Sequence, residues 1–374
     1  MGETVFGGID MLTHITLHSI RNHEQFSLNV PEKGCCIIGA NGSGKTTLLE
    51  AIFALATTKS FRAKQSAQLV QSGKDFGRIL ARTRTHRGEE ELDFLWQLSP
   101  RKKTVFRRNH VTLSAQEMLK KKHFFATLFS PEDVLLPFTT PEKRRRYLNR
   151  VLAPLFPHHF QSLKKFKKIL SSRNALLKRI AEGVASKEEL DFFTAAFAEE
   201  SEKITAARAD FFEKNTEYIR KKYQEISGTN DDFCVVFAPH VKGNVQDVLE
   251  ECYERDVARG ATSKGAHHDD FFFLLRGKPL EETGSRGEVR SGILALKMAE
   301  HAFTKTVSGH TPILLLDDVF SELDATRRKH LAELVFTGQT IITATDMPKR
   351  ALEEIDSDVI RLEEGHSFLE NSEI

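Results

Sequence analysis

Apolar residues alternate with polar ones near the start of the chain. Leu12, Ile15, Leu17 and Ile20, then Phe26, Leu28 and Val30, sit among polar neighbours. Period two predicts two strands, and Arg21-Asn22-His23 between them predicts their turn. Cys35-Cys36-Ile37-Ile38 is a continuous apolar run, the mark of a short buried strand. Thr47 to Leu55 is long enough and apolar enough for a helix, and Lys59-Ser60-Phe61-Arg62 ends that pattern. Alternation returns in Arg78 to Arg82, Leu92 to Trp96 and Thr104 to Phe106, which predicts antiparallel strands.

The period changes at Pro141. Lys143 to Leu155 reads as one helix and His159 to Ile180 as another, with Phe160, Leu163, Phe166, Ile169 and Leu170 on one face. Ser186-Lys187-Glu188-Glu189 is a capping box for a third helix. Leu190, Phe197, Ile204, Phe211 and Tyr218 follow at seven-residue spacing, as in an antiparallel helical hairpin. The alternate seam positions, Ser201, Arg208 and Asn215, are polar, so a short arm is expected. Phe233 to Phe237 returns to a strand, and Gly260 to His268 is loop-like. Ile313-Leu314-Leu315-Leu316 is a second short apolar run, and it ends on two carboxylates, Asp317 and Asp318.

Chemistry enters between the first buried strand and the first helix. Gly39-Ala40-Asn41-Gly42-Ser43-Gly44-Lys45-Thr46 fits the pattern G-x-x-x-x-G-K-[ST] at every fixed position. Small residues let backbone N–H groups curl round a phosphate, and the helix start at Thr47 adds partial positive charge. Lys45 is expected to reach the β/γ-phosphates of ATP or GTP, and Thr46 to hold Mg²⁺. A buried strand ending in Asp317-Asp318 suits the second half of such a site. Asp317 is the expected metal ligand and Asp318 the expected general base. Ser285-Arg286-Gly287-Glu288-Val289-Arg290 opens an amphipathic helix, where a hydroxyl and free N–H groups can meet a phosphate. Ser321-Glu322-Leu323-Asp324 follows the acidic strand end.

Composition narrows the class. The 374 residues are 40% hydrophobic and 28% charged, with a net charge of +2. No apolar run approaches the ~18 residues of a membrane helix. Met1 to Asp10 lacks the basic and apolar regions of a signal peptide and reads as an extension or an early start ahead of Met11. Cys35, Cys36, Cys234 and Cys252 form no C-x-x-C pair, which fits reduced thiols in a cytoplasmic protein. Charge is uneven: residues 101–180 hold twenty Lys and Arg against four Asp and Glu. A basic middle in an otherwise acidic chain suggests a polyanionic partner, and solvated helix faces are the plain alternative.

The order of these motifs resembles the ABC-type ATPase heads, including the SMC-like branch. In such heads the Ser-x-Gly element completes the site of a second copy. The resemblance narrows with Ile20-Arg21-Asn22, Glu50-Ala51-Ile52, Lys59-Ser60-Phe61-Arg62, Phe129-Ser130-Pro131-Glu132-Asp133 and Lys143-Arg144-Arg145-Arg146-Tyr147-Leu148. His268-Asp269-Asp270, Leu294 to Glu300, Leu315 to Asp324 and Thr343-Ala344-Thr345-Asp346 extend it. These are similar to the RecF family of bacterial DNA replication and repair proteins. Arg286, Glu288 and Val289 depart from its usual Gln-rich surroundings of the signature glycine, and His267-His268 and His23 depart at single positions.

The resemblance implies an α/β head with a mixed sheet and an inserted helical arm, divided as 11–139 and 241–374 for the head and 140–240 for the arm. It implies a weak, DNA-stimulated ATPase acting in recombinational repair and the SOS response. ATP with Mg²⁺ would join two copies. Ser285, Gly287 and Arg290 would act in trans, and Ser321 and Asp324 would form a D-loop. Implied partners are single-stranded or gapped duplex DNA and RecR- and RecO-like mediators, with no membrane. The basic middle then supplies candidate DNA contacts: Arg101, Lys102, Lys103, Arg107, Arg108, Arg144, Arg145, Lys164, Lys165, Lys167 and Lys168. Arg144 to Arg146 are alternatively ties between arm and head. Other readings are a transporter ATPase subunit, a P-loop kinase and a binding module without turnover.

Overall fold

The computed structural model describes residues 11–63, 66–85, 88–120, 124–319, 324–335, 338–346, 358–363 and 366–370. In chain order, β1 (Met11–Ile20) and β2 (His23–Asn29) form the predicted hairpin, followed by β3 (Gly34–Ile38) and α1 (Lys45–Thr57). Then come β4 (Phe76–Thr85), β5 (Gly88–Gln97), β6 (Lys103–Arg108), β7 (Val111–Leu113), α2 (Ala115–Lys120) and β8 (Ala126–Phe129). The helical stretch holds α3 (Pro141–Leu155), α4 (Pro157–Ala181) and α5 (Lys187–Ser227). After it lie β9 (Phe233–Ala238), α6 (Val245–Glu251), α7 (Tyr253–Arg259), β10 (Asp270–Leu275), β11 (Lys278–Pro279) and α8 (Leu280–Thr283). The chain closes with α9 (Arg286–Ser308), β12 (Ile313–Asp317), α10 (Ala325–Val335), β13 (Thr340–Ala344), β14 (Asp358–Glu363) and β15 (His366–Glu370). No helix among the described residues is long and apolar enough to cross a membrane.

Contacts divide the chain into two compact units, Met1–Val134 with Ile293–Ile374, and Leu135–Gly292. The stretch 241–292, expected with the head, packs in the helical unit instead. The reason is pairing and burial: β10 pairs antiparallel with β9, and Val245 and Leu249 of α6 join Phe166, Phe197 and Ile204 in one apolar cluster.

The first unit has two sheets. One is antiparallel, in the order β2-β1-β4-β5-β6-β7; the other runs β15-β14-β3-β13-β12-β8. In the second sheet β14, β3, β13, β12 and β8 are parallel, and only β15 runs against its neighbour. Strands β3, β12 and β13 are buried along their whole length, which explains the apolar runs of β3 and β12; β13 buries two threonines, Thr340 and Thr343, as well. Ile15, Leu17, Ile79, Phe94 and Trp96 from the antiparallel sheet meet Leu48, Leu49 and Ile52 of α1 and Cys35, Ile37, Leu315 and Ile341 of the parallel sheet in one core. The buried Gln339 side chain fixes the edge of this arrangement. It accepts from Leu12 N–H (2.8 Å) and donates to the Leu12 and Pro31 carbonyls (2.8 Å each). All four cysteines are free thiols, and burial pushes Cys36 up to about 12 and Cys35 higher still.

The helical unit is built on α4 and α5. The predicted capping box is present at Ser186 and Glu189. Leu190, Phe197, Ile204 and Phe211 are buried as expected, but Tyr218 is not; Ile219 takes the seam. A straight helix drifts by about 20° per heptad, so after four repeats the next residue faces the core. The short arm expected from the polar alternates is a correction: α5 runs 41 residues. Its Ser201, Arg208 and Asn215 are buried too, because each finds a partner. Ser201 Oγ accepts from Ala266 N–H (2.8 Å), and Asn215 Nδ2 donates to the Phe211 carbonyl (2.6 Å). Arg208 Nη1 donates to Asp269 Oδ2 (2.8 Å) and to the Ala266 carbonyl (2.7 Å).

Candidate nucleotide site and nucleic-acid contacts

The parallel register brings three strand ends together. Asp317 of β12 stands beside Thr343 of β13, and Thr343 stands beside Ile37 of β3. The chain leaves β3 through the Gly-rich turn and enters α1 at Lys45. Two glycines make the turn possible. Gly42 has φ +86° and Gly44 φ +103°, values that side-chain-bearing residues rarely adopt. A Cβ on Gly44 would lie 2.2 Å from His23 Nε2, so His23 packs directly behind the turn.

Residues of the β1–β2 turn brace this loop. Asn22 Nδ2 donates to the Gly42 carbonyl (2.8 Å), and its Oδ1 accepts from Thr47 Oγ1 (3.1 Å). His23 Nε2 lies 3.2 Å from the Gly44 carbonyl. Burial lowers the His23 pKa despite that contact, so the neutral ring donates. Arg21 forks onto the fully buried Glu50 of α1 (3.1 and 2.9 Å), and Ser60 Oγ donates to the same carboxylate. The motifs around residues 20–22, 50–52 and 59–62 are thus parts of one brace. Sequence reasoning assigned Asn22, His23 and Thr343 no role at the site. The only signal was their membership of motifs quoted for the resemblance or noted as departures from it.

Lys45 Nζ donates to the Gly39 (2.5 Å) and Ala40 (2.9 Å) carbonyls. Burial lowers its pKa, against the pull of Asp318 and Asp317. Thr46 Oγ1 donates to Asp317 Oδ1 (2.8 Å), and Thr343 Oγ1 donates to the same oxygen (2.9 Å). Asp318 sits at φ +54°, its N–H donating to the Thr343 carbonyl (3.0 Å) and hydroxyl (3.2 Å). Among the described residues Ser43 Oγ is buried without a hydrogen-bond partner, a hydroxyl turned into the turn. Thr345 Oγ1 donates to Asn41 Oδ1 (3.2 Å). A phosphate fits this turn, and Thr46 with the Asp317 carboxylate offers the hard oxygen donors that suit Mg²⁺. Replacing Gly44 by Ala is expected to weaken ATP binding about fivefold or more, from roughly 1–3 kcal/mol of strain at a left-handed residue. Titration with a fluorescent ATP analogue measures it, and an unchanged Kd rejects the cradle.

In the helical unit, Ser285 caps the start of α9 and is exposed. Its N–H donates to Glu288 Oε2 (2.7 Å), and Glu288 N–H donates back to Ser285 Oγ (3.3 Å). Arg276 Nη2 also holds Glu288 (2.6 Å). Gly287 and Arg290 lie half-buried in the first turns of α9. Asp324 caps α10 by accepting from Arg327 N–H (2.9 Å); Ser321 lies outside the described residues.

The basic candidates divide sharply. Arg144 is buried, forking onto Asp270 (2.8 and 2.6 Å) and donating to the Thr139 carbonyl (2.6 Å). Arg145 Nη1 donates to the Asp269 carbonyl (2.8 Å), and Arg146 Nη2 to Glu142 Oε1 (2.5 Å). These bonds lie within the helical unit and are not ties to the head; they take Arg144 out of solvent and leave Arg145 half-buried, while Arg146 stays exposed. Arg108 is held by Glu90 and is only 15% exposed, so it too turns inward. Arg107 shares Asp93 with Arg78 but stays 36% exposed. Arg101, Lys102 and Lys103 on the β5–β6 side, and Lys164, Lys165, Lys167 and Lys168 on α4, are exposed.

Parallel strands that end at a phosphate-type turn, with an antiparallel sheet sharing the same core, form the head of an ABC/SMC-type P-loop ATPase. Residues 11–362 match the RecF/RecN/SMC N terminal domain family. An Smc head domain from Pyrococcus furiosus shares this fold with a TM-score of 0.56 at 14% identity, over 97% of this chain and 96% of that one. The DNA replication and repair protein RecF of Leptospira interrogans (serovar Lai, strain 56601) is 31% identical over 344 residues, covering 90% of this chain and 92% of the relative. A structure of the recombination mediator protein RecF with ATP, in the RecFOR pathway, superposes with a TM-score of 0.88 at 27% identity, covering 99% of this chain and 100% of that one. The chain belongs to the RecF family.

Proposed function

We propose that this chain is an ATP-gated DNA-binding protein of recombinational repair and replication-gap processing, supporting recombinase loading and the SOS response. The observation that carries it is the hydrogen bond of Thr46 to Asp317, which joins turn and acidic strand end into one site. The names of its relatives, DNA replication and repair proteins and an ATP-bound recombination mediator, support the same reading.

Gly39 to Thr47 hold the triphosphate through backbone N–H groups, and Lys45 leaves its two carbonyls for the β/γ-phosphates. Thr46 and Asp317 would hold Mg²⁺, which would supply neutralisation of phosphate charge. Asp318 orients the attacking water and takes its proton. Ser285, Gly287 and Arg290 of a second copy close on the γ-phosphate, with Ser321 and Asp324 at the same boundary. Two heads joined in this way hold DNA, and slow hydrolysis releases it. Single-stranded or gapped duplex DNA is the substrate class, and RecR- and RecO-like mediators are the protein partners. The reaction belongs in the cytoplasm.

The test measures association and DNA binding together, with ATP, ADP and no nucleotide. ATP alone is expected to give both, and a monomer that binds DNA equally in all three states rejects the reading. Each phosphate contact is expected to steepen the log–log salt dependence of DNA affinity by roughly 0.7–0.9. Removing Lys164, Lys167 and Lys168 together is expected to flatten it by up to about three contacts' worth. A slope unmoved by that triple change, read by fluorescence anisotropy, takes α4 out of the DNA surface.

A further inference from the structure

The antiparallel sheet turns Phe94, Trp96 and Phe106 into the core at 0%, 2% and 8% exposure. Phe76, at the start of β4, points the other way and is 46% exposed. The register sets its neighbours. Phe76 pairs with Gln97 and Gln97 with Lys103; two residues on, Arg78 pairs with Leu95. Two residues further, Asp93 stands opposite Arg107 on β6. Alternation puts all these side chains on the outward face. There Phe76, Arg78, Leu95, Gln97, Ser99 and Arg107 line an open depression of about 340 Å³.

The two arginines on this face are held in place. Asp93 Oδ1 and Oδ2 accept from Arg78 Nε (2.8 Å) and Nη2 (3.0 Å), and Oδ2 also accepts from Arg107 Nη1 (2.7 Å). Burial alone would raise the Asp93 pKa, but the two guanidiniums outweigh it and keep the carboxylate charged. Two cations share Asp93; Glu91 on the same face also acts on Arg78, and Arg82 opposite Glu91 keeps the balance positive, with the Arg78 and Arg107 side chains about a third or more exposed. A guanidinium already fixed loses less freedom when it meets a phosphate. Arg101, Lys102 and Lys103 continue the positive charge from the adjacent β5–β6 connection, with Asp75 the exposed carboxylate beside Phe76.

An exposed aromatic ring beside fixed cations matches what an unpaired base and its phosphates need. Bases stack on aromatic faces regardless of sequence, and cations track the backbone. A paired duplex offers phosphates but keeps its bases stacked on one another. We propose that this face is a subsite for single-stranded DNA, with Phe76 stacking one base and Arg78 and Arg107 binding the flanking phosphates. The proposal rests on the DNA-binding reading above and adds to it the place in the fold where an unpaired base is held.

Phe76→Ala and Phe76→Trp in the full chain, with ATP present, test it. Phe76→Ala is expected to bind oligothymidylate roughly tenfold more weakly. Its affinity for blunt duplex of equal length and its salt slope are expected to stay within about twofold of the parent, since stacking carries no charge. Phe76→Trp gives an independent readout, because the native Trp96 is 2% exposed. Its added emission is expected to be quenched by oligothymidylate and much less by duplex. Equal loss on both DNAs makes Phe76 a folding residue and overturns the subsite. Undisturbed oligothymidylate binding with unquenched emission also overturns it, and leaves the face to a protein partner. If the parent protein binds neither DNA, the proposed function fails first, and the subsite with it.

Discussion

Asp318→Asn is expected to cut ATP turnover by about 100-fold or more while leaving ATP-driven association intact. A positioned general base contributes about 10²–10⁴-fold to proton transfer, and an amide of the same shape cannot take the proton. The substitution removes a charge that acts on Lys45 but keeps the backbone placement. Asp318 is placed by its backbone, whose N–H is fixed by the Thr343 carbonyl and hydroxyl. The Thr46–Asp317 contact that joins turn and strand does not use its side chain. The variant should therefore bind ATP, pair and stay paired. Sizing chromatography at micromolar protein, run beside phosphate release, reads both effects. A monomer with ATP would end the account of a triphosphate shared between two copies. Normal turnover would move the base elsewhere. Lys45→Ala is the opposite control, because it removes the cation from the turn and should abolish pairing and turnover together.

Arg208→Ala is expected to destabilise the helical unit by about 3–5 kcal/mol, the cost of leaving a buried carboxylate without its partner. Arg208 and Asp269 have side chains 3% and 1% exposed. Asp269 also accepts from Thr205 Oγ1 (2.8 Å) and from His240 N–H (3.0 Å), so it ties α5 to the segment before β10. Against a typical total of about 5–15 kcal/mol, that loss is large. Urea unfolding followed by far-ultraviolet circular dichroism should show an early transition for this unit. Arg146→Ala sets the scale: its pair with Glu142 is mostly exposed and should contribute about 0–1 kcal/mol. Equal midpoints for the two variants would mean that water reaches the Arg208 pair.

What the sequence disclosed followed from how local each demand is. The turn at Gly39 to Thr46 was legible because its backbone admits few residue types. The fully buried strands β3 and β12 were legible because burial on both faces leaves nothing but apolar residues. The capping box at Ser186 was legible for the same local reason. Features that depend on a partner far along the chain were not. Arg144 looks like a DNA contact until Asp270, 126 residues away, is seen to hold it. Arg208 looks like a flaw in an apolar seam until Asp269, 61 residues away, fills it. Asn22 and His23 look like ordinary turn residues, because nothing in a turn announces that its tip lies against a loop 20 residues further on. Charge counting found the basic middle but could not separate solvent-facing lysines from arginines already held by carboxylates.

Glu288 gives the start of α9 an incumbent. Its carboxylate already takes the Ser285 amide hydrogen, and Arg276 steadies it there. An anion arriving from another copy would meet like charge and contest a donor already in use. Its arrival is opposed on both counts. If two copies pair as proposed, the second copy's phosphate has to displace Glu288 from the Ser285 amide, so the joined state is expected to be short-lived.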